Sequence, residues 1–331
     1  MPFMFSFPKM HRLSLLLQAI YVCIFLLAHP NKGVRLHPVI QEYINSIQQD
    51  EVYGLTKRKL PSLESNSFEA IISGQGNNSP GVYYYAAHNS LENPDDSYYG
   101  LHATTDVYGH ELQRGQLSRT GIWVSHSGDG EKSSYNAISV GWHIYPEKYG
   151  DSHPHFFTYW TRDGYEKTGC YNMECPGFVA AAGAAVTPGA RIHPVSNDKD
   201  GHLENVTLRV LKDDKTGDWW VYYGFNSVPT AVGYYPMSLF TYLAKKANQF
   251  SFGAFVYAER VVPTPPMGSG VLPGDGKRRA AYLTDLRLIE KDGRSNPITT
   301  DLPINVYNDK CYFITPIVQA ECFYGGPGGC V

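Results

Sequence analysis

From residue 82 onward, apolar and polar positions alternate with a period of two in a series of short runs. Segments 82–87, 121–126, 138–145, 155–161, 206–212, 219–224, 250–258 and 282–289 show it most plainly. That period sends successive side chains to opposite faces of an extended backbone, so each run predicts a strand. Turn-forming residues separate the runs, and Asp213-Asp-Lys-Thr-Gly-Asp218 joins two of them as a hairpin. Helical spacing occurs in two places. Val39, Ile40, Tyr43, Ile44 and Ile47 share one face across 36–50. Leu239, Tyr242 and Leu243 share another across 236–247, where Pro236 suits a first turn. Between them, 57–80 is polar and turn-rich without a period, and no internal repeat is visible. So many short strands bury their apolar faces most simply as an all-β, antiparallel β-sandwich of two packed sheets carrying one short helix.

Strand parity sorts the residues further. Along 138–145, Ile138, Val140, Trp142 and Ile144 form an apolar face, whereas Ser139, Gly141, His143 and Tyr145 form a mixed one. Along 250–259, Phe250, Phe252, Ala254 and Val256 oppose Ser251, Gly253, Phe255, Tyr257 and Glu259. In each strand the first set reads as core and the second as a possible groove floor, where glycine allows close approach.

Composition narrows the class. A hydrophobic content of 43% over 331 residues supports a large core, and 25 tyrosines beside 32 glycines and 22 prolines favour β structure. The formal charge is −3, and basic residues cluster only at Lys57-Arg58-Lys59 and Lys277-Arg278-Arg279. A nucleic-acid partner would need a basic face, so none is expected. The glycine-rich stretch 325–329 has no strand and helix framing it, which argues against a phosphate cradle and a nucleotide.

At the N-terminus, Lys9, His11 and Arg12 precede an uncharged stretch, 13–28, that His29-Pro30 ends. It is shorter than the ~20 residues of a bilayer span and has the layout of a secretory signal. Residues 1–28 are therefore expected to be a signal peptide, leaving no stable membrane span once removed. Six cysteines fit an oxidising compartment. With Cys23 in the signal, Cys170, Cys175, Cys311, Cys322 and Cys330 remain, an odd set that leaves one thiol over. No Cys-x-x-Cys or His-x₃-His spacing accompanies them, so no metal is expected. Asn205-Val-Thr is a glycosylation sequon, and Asn77-Asn-Ser, followed by Pro80, is a weaker one.

Three stretches carry a family signature: Asn-Ala-Ile-Ser-Val-Gly-Trp-His-Ile-Tyr-Pro-Glu-Lys-Tyr-Gly-Asp (136–151), Phe-Thr-Tyr-Trp-Thr-Arg-Asp-Gly-Tyr (157–165) and Thr-Gly-Cys-Tyr-Asn-Met-Glu-Cys-Pro-Gly-Phe (168–178). Together they resemble the neprosin family, mostly plant secreted proteins whose founding activity is a glutamic endopeptidase cutting after proline. The resemblance covers roughly 82–331 and implies a β-sandwich with a cleft on one concave sheet. It implies disulfides Cys170–Cys175 and Cys311–Cys330, with Cys322 the free thiol. It also makes 29–81 a short counterpart of the family's N-terminal pro-segment.

The resemblance further implies a pair of catalytic glutamates, one at position 139 and one at position 255. This chain has Ser139 and Phe255 there, the second after Gly253-Ala254 in place of a glycine pair. Two neighbouring carboxylates split their pKa values so that one takes a proton from water while the other gives one to the leaving amine. Serine titrates far too high to be that base, and phenylalanine has no proton to give. Substitutes are distant: Glu259 stands about 13 Å along the strand from Phe255, His143 is as far from Ser139, and Glu131 is farther still. No Gly-x-Ser-x-Gly elbow occurs, and Gly268-Ser-Gly270 is only a flanked serine. His153-Pro-His155 reads as a polar strand entry, and Trp219-Trp220 as core packing with at most one ring toward a cleft.

The expectation is thus a secreted neprosin-like protein of the cell wall or apoplast, without cofactor and catalytically impaired. Its groove, lined by Ser139, His143, Tyr145, Phe255 and Tyr257, would bind an extended, proline-rich peptide or cell-wall protein. The alternatives are an acid-acting endopeptidase with a displaced dyad and a structural extracellular protein.

Overall fold

The computed structural model describes residues 81–91, 93–197, 201–274 and 279–330. The signal segment with Cys23, the 36–50 helix, the 57–80 stretch, Asn77 and Lys277-Arg278 lie outside them. The described residues fold as two antiparallel sheets, numbered here in chain order. One is seven-stranded, in the spatial order β14 (Ile304–Val306), β1 (Gly81–Asn89), β11 (Gln249–Glu259), β3 (Gln116–His126), β4 (Asn136–Ile144), β5 (Pro154–Thr161) and β6 (Cys170–Tyr171). The other is nine-stranded, running β15 (Phe313–Ile314), β16 (Cys322–Gly325), β12 (Ala281–Ile289), β2 (Gly100–Asp106), β8 (Asn205–Lys212), β9 (Trp219–Phe225), β10 (Thr230–Tyr235) and β7 (Val179–Ala180), with β13 (Ser295–Pro297) beside β12.

The core lies between the sheets and is built from one parity of each strand. Ile138, Val140 and Trp142 of β4 share it with Ile122 and Val124 of β3, Phe252 and Val256 of β11, and Val206, Leu208 and Val210 of β8. The Trp142 indole N–H donates to the Asp106 carbonyl at 3.1 Å, tying β4 to the end of β2. Trp219 is buried in the same core and donates to the Leu243 carbonyl at 2.8 Å, while Trp220 faces outward against Tyr234. The expected hairpin turn joins β8 to β9, with Lys212 opposite Trp219.

Disulfides Cys170–Cys175 and Cys311–Cys330 are both formed, and Cys322 is a buried free thiol. Asn205 opens β8 and is only half-buried. His155 is held at the entry to β5 by the Asp151 carboxylate at 3.0 Å and the Gly189 carbonyl at 2.8 Å.

One local expectation fails. Segment 236–247 is not a helix; only Met237–Leu239 makes a single 3₁₀ turn. The cause is Asn136. Its side-chain carbonyl accepts the backbone N–H groups of Thr241, Tyr242 and Leu243 at 3.0, 2.9 and 3.2 Å. Those amides are the donors an α-helix would direct to its own carbonyls. Its amide group donates in turn to the carbonyls of Ser134 and Arg162 and to Thr241 Oγ1. The one α-helical turn among the described residues is Pro146–Tyr149, closed by Gly150 in the left-handed region at φ 75°.

Candidate functional site

The seven-stranded sheet turns its other parity away from the sandwich core. Cross-strand register fixes what stands together there. One row runs Tyr85, Phe255, Arg119, His143 and His155 across β1, β11, β3, β4 and β5. The next runs Gly253, Gly121, Gly141 and Phe157, and the one beyond it Ser251, Trp123, Ser139 and Tyr159. Three adjacent strands therefore carry glycine side by side.

That glycine row lowers the sheet surface along one line. A Cβ at Gly121 would stand 2.4 Å from the Val140 carbonyl oxygen, and one at Gly141 would stand 2.0 Å from that of Thr120. The Arg119 side chain lies across the resulting trough. Its Nη2 donates to Ser139 Oγ, and its Nη1 reaches the Tyr171 hydroxyl at 3.5 Å. Its guanidinium carbon sits 4.0 Å from the Phe157 ring centre, 5.1 Å from that of Phe255 and 5.3 Å from that of Trp123. Arg119 has no exposed surface. Burial pushes its pKa down, and the hydroxyls of Tyr171, Tyr165 and Tyr159 push it back up. Guanidinium remains a cation at any ordinary pH. No carboxylate of the described residues bonds to it, and its Nε–H is buried without an acceptor.

His143, opposite Arg119 in register, is also fully buried. Its Nε2 lies in a chain of bonds. The Thr158 N–H donates to Asn172 Oδ1 at 3.2 Å, so the Asn172 amide turns its NH₂ to the Tyr149 hydroxyl at 3.1 Å. That hydroxyl is also hydrogen-bonded to His143 Nε2 at 2.9 Å. The other ring nitrogen, Nδ1, is buried without a partner among the described residues. Burial first, and then the positive charge of Arg119, hold the His143 pKa well below its ordinary value, so the ring is neutral. It stacks on Phe157 at 4.5 Å.

Ser139, His143, Tyr145, Phe255 and Tyr257 therefore share one layer, and they expose only 1%, 0%, 6%, 1% and 3% of their surface. These values describe packed rings, not the walls of an open channel. The 139 and 255 positions stand two strands apart, with β3 between them. Arg119 touches both and was not among the residues singled out from sequence. The clear alternation in the sequence starts at Gly121, whereas β3 starts at Gln116. Extending the alternation back from Trp123 through Gly121 would have put Arg119 on the same face.

Among the described residues, no carboxylate stands in this layer. Glu259 closes the far end of β11 beside Gly115, and Glu131 is exposed in the turn before Lys132–Ser134. Among the described residues, no group of three or more His, Cys, Asp or Glu could hold a metal ion.

A family model described as Neprosin matches residues 114–327. Similar solved structures include a scytalido-glutamic peptidase with a peptide-based transition-state analog, at 10% identity, 74% of this chain, 98% of that chain and TM-score 0.36. SCP-B, of the Eqolisin family of peptidases, in complex with a tripeptide Ala-Ile-His, is similar at 9% identity, the same coverages and TM-score 0.34. The β-porphyranase BpGH16B from the human gut bacterium Bacteroides plebeius follows at 9% identity, 55% and 68% coverage and TM-score 0.26.

Proposed function

Because the chain belongs to the neprosin family, we propose that it is a secreted, non-cutting member that holds extended, proline-rich segments of extracellular proteins. The observation that carries this reading is the chemistry at the two positions matching the family's catalytic glutamates. Ser139 and Phe255 supply neither a base nor an acid, and the group touching both is the cation of Arg119. A cation there would hold any nearby carboxyl in its ionised form and so disfavour the protonated acid that the leaving amine needs. Phe255, Tyr257 and Tyr145, with neutral His143, are packed in this layer, and once a ligand parts them their flat apolar faces are of the kind that proline rings stack on. The two disulfides fit an oxidising compartment, in line with the signal-like start of the chain.

The test is to incubate the purified mature protein with proline-containing peptides from about pH 2.5 to 6, followed by mass spectrometry and by a binding isotherm. Intact peptides with saturable binding are expected. Turnover that disappears when a nearby Asp or Glu is replaced would refute the reading in favour of a displaced dyad. Intact peptides without binding would leave a structural extracellular role.

A further inference from the structure

Two buried polar groups on this face lack partners among the described residues. Arg119 Nε–H and His143 Nδ1 are both unpartnered, and their residues stand opposite each other on β3 and β4. Buried polar atoms are nearly always bonded, and a buried cation ordinarily has an anion beside it. Among the described residues neither an acceptor nor an anion is supplied: the layer around them is Phe157, Phe255, Trp123, Tyr171 and Ser139. One small planar acceptor would answer both, pairing with the guanidinium and drawing the His143 ring proton to Nδ1. A carboxylate has two oxygens and a negative charge, and guanidinium pairs with it in a matching fork.

We propose that this face contains a carboxylate subsite formed by Arg119 and His143, filled by an acidic group of the bound peptide. This rests on the peptide-binding reading of the same site and names what that peptide must carry. Arg119 has no exposed surface in the free protein. Entry therefore displaces a ring, Phe255 or Trp123, from the guanidinium and exchanges a cation–π contact for a charge-assisted fork. Ser139 contributes its small size: a glutamate at this position would fill the subsite from within.

The experiment compares the full mature protein's affinity for labelled Ala-Pro-Glu-Pro-Ala and Ala-Pro-Gln-Pro-Ala, each as free acid and as C-terminal amide. The glutamate peptide should bind about tenfold or more tightly than the glutamine one, from a charge-assisted bond made in place of a neutral one. If the amide forms keep the preference, the source is the side chain; if only the free acids bind well, it is the terminal carboxylate. Arg119→Gln should bring the two peptides within about twofold of each other. As that variant removes a buried residue, Ser139→Asp provides a second route. Its own carboxylate should occupy the guanidinium, abolish the preference and raise the melting temperature above that of Ser139→Asn. Equal affinity for all four peptides, free acids and amides alike, would overturn the subsite while leaving peptide binding intact, and so would a preference unchanged in Ser139→Asp. Failure of every peptide to bind would overturn the peptide-binding reading and the subsite with it.

Discussion

Replacing His143 with phenylalanine tests the electrostatics of the buried layer directly. In the folded protein burial keeps the ring neutral, whereas in the unfolded chain it titrates near its ordinary value of about 6.5. As pH falls below that value, the unfolded chain takes up a proton that the folded chain refuses, and stability drops. The full stability is present above about pH 6.5 and is lost across the window from there down to the folded value. One such proton changes the free energy by about 1.4 kcal/mol per pH unit, so the loss reaches about 2 kcal/mol at pH 5 while the folded ring stays neutral. His88, His102 and His126 are also shifted downward by burial, but they are common to both proteins and cancel in the difference. Phenylalanine preserves the stack on Phe157 and removes the unpartnered Nδ1. It also deprives the Tyr149 hydroxyl of a hydrogen-bond partner, a cost of about 1 kcal/mol independent of pH. Urea titrations at about pH 7.5, 6.5, 5.8 and 5 give both curves. The unmutated protein should lose about 2 kcal/mol more than the variant over that range. Parallel curves would refute the assignment of a neutral, desolvated His143.

Asn136→Ala frees the amides of Thr241, Tyr242 and Leu243 together with two carbonyl partners, and should destabilise by about 3–5 kcal/mol, read as a melting temperature lower by roughly 10 °C. Gly141→Ala drives a Cβ to 2.0 Å from the Thr120 carbonyl oxygen and should sharply reduce soluble yield, whereas Gly274→Ala, with no atom of the described residues within 4 Å, should leave yield and melting unchanged. The Cys322 thiol is buried and its pKa is raised by desolvation, so a thiol reagent should label it only after denaturation; rapid labelling of the native protein would contradict its burial. Ser139→Glu combined with Phe255→Glu should produce measurable cleavage of a proline-containing peptide at acid pH, seen by mass spectrometry, where each single change produces none.

Most of the long strands were legible because period-two alternation is a local signal, and 138–145 and 250–258 fell on β4 and β11 almost to the residue. The shorter elements were not. β2 and β10 carry Gly and Thr where a strand reader expects apolar side chains, and β6, β7 and β15 are two residues long. The 236–247 helix failed for a non-local reason. Its apolar spacing is real, but Asn136, some hundred residues earlier, captures its amides.

By itself, then, the sequence determined the two-sheet architecture and the faces of β4 and β11, because parity along a strand depends only on neighbouring residues. Resemblance supplied the two disulfide pairings that the fold contains. Only the tertiary structure decided that β3 lies between those strands with Arg119 level with Phe255 and His143, and that three glycines align to let its side chain cross to Ser139. Strand order and register are set by hydrogen bonds between segments far apart in the chain, and no local pattern records them. The charge at the centre of the site was therefore visible as a letter in the sequence but not as a neighbour.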